Sequence, residues 1–234
     1  MRIDTRIRTC ARRRPLHCGT RRLVIALCSL LLITTLTACH GVGWVSHVLA
    51  GDPSRTHQIK ALYKGLENKR FAVLVDADDH TRYVHPHAVL DVSRTVTLKL
   101  VEHVRGAVPI DPHQIAQFQR EHPFWQSLPY GRLIEHLAVD RLVLIDLVEY
   151  TTHEKGNPHV RQGTIVARVG TLEAEADDPN NFVFLETVKA QFPPHRPIGL
   201  LDSDDRTIQL ETLRRFAISV GHLFFDHQQT VDDT

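Results

Sequence analysis

Beyond residue 39 the chain has no cysteine; its four are Cys10, Cys18, Cys28 and Cys39. Residues 40–234 therefore form no disulfide and no thiolate metal site of their own. The HExxH pair, the GxSxG turn and the glycine-rich phosphate loop are all missing. The common zinc-hydrolase, serine-hydrolase and nucleotide signatures are missing with them. No internal repeat or low-complexity segment occurs. An excess of positive charge is lacking too, despite a net charge of +1. Residues 1–38 hold eight arginines and one aspartate, so the rest keeps 20 of the 28 basic and 26 of the 27 acidic residues, about −6. That balance argues against a nucleic-acid partner, which requires a basic face. Histidine is the one titratable residue in surplus, at 16, so the sign of the charge depends on pH near 6.

The N-terminal segment carries the clearest signal. Arg21 and Arg22 precede an uncharged apolar run over 23–36, which ends in Leu36-Thr37-Ala38-Cys39. Fourteen residues are too few for a transmembrane helix, which needs about 20, but suit the core of an export signal. The ending resembles the lipobox of bacterial lipoproteins. That resemblance implies cleavage before Cys39, acylation (palmitate among the chains) of Cys39, and residues 1–38 as a signal peptide. Two or three acyl chains anchor stably where one is marginal. His40 stands where an aspartate retains many such proteins at the inner membrane, so the resemblance implies the outer membrane, periplasmic face, with the inner membrane as the alternative. Residues 39–56 hold Gly41, Gly43, Gly51 and Pro53 without a period and read as a lipidated tether. Trp44 suits a headgroup layer or simple packing equally.

The remaining pattern predicts one α/β domain over 57–227 and a disordered tail over 228–234. Ile59, Leu62, Tyr63 and Leu66 fall at i, i+3, i+4, i+7 and predict a short helix. RFAVLVDA, from Arg70, is a continuous apolar run that suits a strand covered on both faces. Residues 86–105 predict a long helix, 108–110 a short strand, and 113–120 and 129–137 two more helices. LVLIDLVEY, from Leu142, is the second strong strand; 151–160 reads as a polar loop. Residues 162–175 alternate and predict a long strand paired in a hairpin, followed by a short edge strand over 182–188. Asp202 to Asp205 supply caps for a last helix, whose stripe Leu213, Phe216, Val220 and Phe224 faces the core. The order predicts a mixed sheet of about four to five strands packed with helices.

These elements resemble a family. A lipobox, RFAVLVDA, HLAVDRLVLIDLVEY, a hairpin and LRRFAISVGHLFFDH are similar to envelope lipoproteins with a periplasmic α/β domain. The group includes the penicillin-binding-protein activator, the curli-secretion lipoprotein and the Tol N-terminal domain. The phrase Ala138-Val139-Asp140-Arg141 before a strand is the most specific match. The resemblance implies binding of another envelope protein in assembly or regulation of an envelope complex. It implies no catalysis and no cofactor.

Two clusters are candidate sites. Asp76, Asp78, His80 and His85 crowd segment 76–87, after the first apolar strand, where α/β sites gather. Carboxylates and imidazoles together suit a divalent metal, the alternative function; a solvated loop with a helix cap is the plainer reading. Phe124 and Trp125 are a candidate partner anchor, against packing beneath a loop. His153, Glu154 and His159 read as a polar hairpin tip.

Overall fold

The computed structural model describes residues 56–194, 198–199 and 204–230, and the fold is that of the unit Gln58–Gln229. Residues 1–55, with the expected signal segment, Cys39, Trp44 and all of the tether except Thr56, lie outside the described residues, as do 231–234.

The main sheet grows outward from two apolar strands. β2 (Arg70–Ala77) and β4 (Arg141–Glu154) pair in parallel, Phe71 opposite Arg141 and Asp76 opposite Asp146. β3 (Val108–Pro109) lies parallel on the outer side of β2. β5 (Asn157–Glu173) returns antiparallel to β4, and β6 (Phe184–Phe192) pairs antiparallel with β5. The order is β3-β2-β4-β5-β6, and the short β7 (Ile198–Gly199) extends the β6 side along β5. This is the expected mixed sheet of an α/β fold. A second sheet of two strands joins β1 (Thr56–Ile59) and β8 (His227–Thr230).

Among the described residues five helices accompany the main sheet. α1 (Asp79–Val84) is capped by Asp78, whose carboxylate accepts from the Thr81 N–H at 2.7 Å. α2 (Ala88–His103) turns Ala88, Val92, Val96 and Leu100 inward. Its Ser93 hydroxyl donates to the Val73 carbonyl at 2.9 Å, pinning helix to strand. α3 (Pro112–Glu121) starts at Asp111, with Pro112 in the first turn where no N–H is required. α4 (Tyr130–Leu137) ends at Ala138 in the left-handed region, φ 50°. α5 (Asp205–Gly221) is capped by Asp204 through the Thr207 N–H.

Each sheet face buries its own core. On the first face Val73, Val75, Val143, Ile145, Ala167 and Val169 meet α2, α5 with Leu213, Phe216 and Val220, and Phe224 just beyond α5. On the second, Ala72, Leu74, Leu142 and Leu172 meet α3, α4 and Trp125. α3 and α4 cover only part of that face, and this opening positions the candidate site.

Four expectations differ. Residues 59–66 are not a helix: β1 ends at Ile59 and turns follow. Leu66 is fully buried while Leu62 is exposed, so the spacing marked separate contacts and not one helical face. The loop at 151–160 is instead the continuing hairpin, with Lys155 and Gly156 at its turn and Gly156 at φ 84°. Three register shifts in β4 beyond Leu147 break the alternation that would have marked a strand. β6 runs to Phe192, further than expected. Gln228 and Gln229, expected in a frayed tail, lie in β8.

Ala138 to Arg141, the phrase behind the family resemblance, builds a structural joint. Asp140 accepts the Arg70 N–H at 2.8 Å and so aligns the starts of β2 and β4. Arg141 is buried; it donates to the Gly65 carbonyl at 3.0 Å, the Asp140 carbonyl at 2.8 Å and the Glu175 carboxylate at 2.7 Å. Tyr63 donates to Glu173 at 2.6 Å beside it. Hydrogen bonds from Arg141 and Lys69 hold the Glu175 carboxyl down to about 2.

Candidate functional site

A cleft of about 320 Å³ opens on the uncovered part of the second face. Its base is a row of three side chains in register: Asp76 on β2, Asp146 on β4 and Arg168 on β5. Parity of the strands sends all three to the face opposite Val73, Val75, Ile145 and Ala167. The walls are Trp125 and Gln126 of a 3-10 turn (Trp125–Ser127), Tyr130 at the start of α4, and Phe182 before β6. Gly170 lies under the Phe182 ring; a Cβ there would stand 2.5 Å from the ring's Cδ1. Tyr130 tilts against Phe182 with centroids 5.2 Å apart.

The charges in the cleft are internally matched. Asp76 accepts from Arg82 Nη2 at 2.7 Å and from Gln126 Nε2 at 3.3 Å. Asp146 accepts from Arg168 Nε at 3.0 Å, with Arg168 Nη2 forming a second bond. Two carboxylates, two guanidiniums and one amide thus surround an aromatic wall. The lining contains no serine, cysteine, histidine or lysine. Such a surface suits recognition of a ligand with one apolar face and polar edges.

The metal candidates do not converge. Asp76 faces this cleft, Asp78 caps α1, and His85 packs its ring 4.9 Å from Tyr150. His80 and His85 border a different depression, with His153 and Asp205. Burial and the neighbouring His80 push the His85 imidazole below its ordinary range. Among the described residues no group of three histidine, cysteine, aspartate or glutamate side chains is placed to hold a metal ion. One carboxylate is spent on Arg82 and the other on a helix cap, so the alternative metal reading gains no support.

The aromatic pair divides. Trp125 is 3% exposed and belongs to the second core, whereas Phe124 is 81% exposed. Only Phe124 is available as an anchor. Asp146, Arg168, Tyr130, Phe182 and Gln126 were not candidates from sequence. A signal existed for one: Asp146 interrupts LVLIDLVEY as Asp76 interrupts RFAVLVDA.

No protein-family model matches the chain, and no curated protein matches it in sequence. Solved structures do resemble it. A PelC dodecamer from Paraburkholderia phytofirmans aligns with a TM-score of 0.42 at 10% identity, over 72% of this chain and 98% of that one. Lipoprotein GNA1162 from Neisseria meningitidis aligns at 0.39 and 11% identity, over 61% and 89%. The hypothetical protein CT253 from Chlamydia trachomatis aligns at 0.40 and 15% identity, over 65% and 94%.

Proposed function

We propose that the chain is a non-enzymatic lipoprotein of the bacterial envelope, held at the outer membrane by acyl chains on Cys39, whose α/β domain binds another envelope protein. The carrying observation is the stretch RRLVIALCSLLLITTLTAC, which pairs a signal-length apolar core with a cysteine at its end. The cleft supports a binding role, because its carboxylates are engaged by arginine and its aromatic wall offers contact area for a partner. Leu185 of the lining is exposed, and Phe124 and Val183, also exposed, add apolar contact area.

Acyl labelling with fractionation tests the anchor. Wild type takes up labelled fatty acid and sediments with outer membranes; Cys39→Ala takes up none and either stays unprocessed or leaves the membrane. Equal labelling of both would refute the anchor. Crosslinking in intact cells tests the partner: a defined protein adduct with the wild type, weakened by Phe124→Ser, is the expected result. Recovery of lipid and bulk porin alone would overturn the binding reading.

A further inference from the structure

A cluster of imidazoles sits where the C-terminal segment closes on residues 59–64. His222, just past α5, stacks on His227 at the start of β8, with ring centroids 3.6 Å apart and planes within 5°. Phe225 stands edge-on to His222 at 5.8 Å and stacks on His103 of α2 at 4.4 Å. Lys99, also on α2, approaches the same place: a Cβ on Gly221 would lie 3.2 Å from its Cγ and 2.8 Å from the Phe225 ring. Downstream, Asp226 accepts the Ala61 N–H at 2.8 Å and ion-pairs with Lys64 at 2.8 Å. The segment is therefore held by one carboxylate and the β1–β8 pairing on one side and packed through two stacked bases on the other.

We propose that residues 225–229 form an acid-released latch: protonation of the stacked His222–His227 pair frees them from residues 59–64 while the sandwich stays folded. Two imidazoles at stacking distance tolerate one positive charge poorly and two worse. Among the described residues the charged groups that bear on His222 are His227, Lys99 and His103, all cationic when protonated. Glu102, the acidic group nearby on α2, is engaged with Lys99 at 3.1 Å and with His103 at 3.4 Å. Burial and these cations push the His222 imidazole down to about 4. When residues 225–229 leave, His222 is uncovered and loses the His227 charge, so its value rises toward the ordinary 6.5; release therefore takes up a proton and becomes easier as pH falls below 6.5. The full difference would raise the open fraction up to about 20-fold between pH 7 and pH 5. Asp226 does not share that window. The bond from Lys64 and the Ala61 N–H hold its carboxyl below the ordinary range, and Lys60 adds to this, so it stays charged at pH 5.

Amide hydrogen exchange on the full chain, corrected for intrinsic rates, reads the latch. Ala61 reports release, and Val143 and Ile145 in the central strand report global unfolding. Wild type should lose about tenfold or more of its Ala61 protection from pH 7 to pH 5, with Val143 and Ile145 unchanged. His222→Gln should make the ratio of Ala61 protection at the two pH values close to one, whatever its level at pH 7, and His227→Gln, which removes one cation but leaves His222 beside Lys99 and His103, should make it smaller than in wild type. Asp226→Asn should open Ala61 at both pH values, proving that the amide reports this contact. Equal Ala61 protection in wild type at pH 7 and pH 5 would overturn the proposal. So would an acid loss that persists in His222→Gln, or one shared by the central strand.

Discussion

Replacing Arg141 with leucine should destabilise the domain by about 3 kcal/mol. The guanidinium is buried and joins four parts of the chain: Gly65 before β2, Asp140 before β4, and Glu173 and Glu175 at and beyond the end of β5. Removing one partner of a buried pair costs about 3–5 kcal/mol, because the other charge and the bonded carbonyls lose their donor. Glu175 is half-exposed and keeps Lys69 at 2.8 Å, so water and the lysine recover part of that loss. For a domain of this size the remainder corresponds to a fall of about 6–12 °C in Tm. The pH dependence adds a second check. The folded-state value of Glu175 is about 2, against an ordinary 4.5, so its contribution is complete above 4.5 and is lost as pH falls toward 2. The stability gap between Arg141→Leu and wild type should therefore be widest near neutral pH and narrow below pH 4.5. Scanning calorimetry at several pH values measures both. A variant melting within 2 °C of wild type near neutral pH, or a gap that stays constant to pH 2, would refute the reasoning.

Substitutions at three further positions probe the packing. Phe216 is fully buried between α5 and the sheet, so Phe216→Ala should cost about 3–5 kcal/mol, and Phe216→Asp should prevent folding; a wild-type melting curve for either would show that α5 is not core. Trp125→Ala should cost about 3–5 kcal/mol because its ring fills the second core. Phe124→Ser should change stability by less than about 0.5 kcal/mol while weakening the partner adduct, and a large fall in Tm for the serine variant would instead place the Phe124 ring in the core.

The layered fold was legible because its strongest signals are local. RFAVLVDA and LVLIDLVEY announce strands covered on both faces, and each is covered: Leu74 and Leu142 meet one set of helices, Val73 and Val143 the other. Asp111-Pro112 and the aspartates before α5 mark helix starts by a mechanism that acts within three residues. Failures came where a pattern had two physical causes. The spacing of Ile59, Leu62, Tyr63 and Leu66 fits a helix, yet Tyr63 is turned toward Phe184 and Phe224, contacts with partners more than a hundred residues away. The cleft was hidden for a related reason. Asp76, Asp146 and Arg168 are 70 and 22 residues apart in sequence and meet only through strand register, which periodicity does not specify. A lone aspartate within an apolar run is the local trace of such a meeting. Burial on both faces would make that charge costly unless something across the sheet neutralised it. Arg82 and Arg168 do so here. The same reasoning separates the two acidic groups of the first candidate site. Asp78 is satisfied locally by the Thr81 N–H and was readable as a cap. Asp76 ends a buried strand, has no local cationic neighbour before Arg82, and therefore marks the open part of the sheet face, where a ligand or partner has access to it.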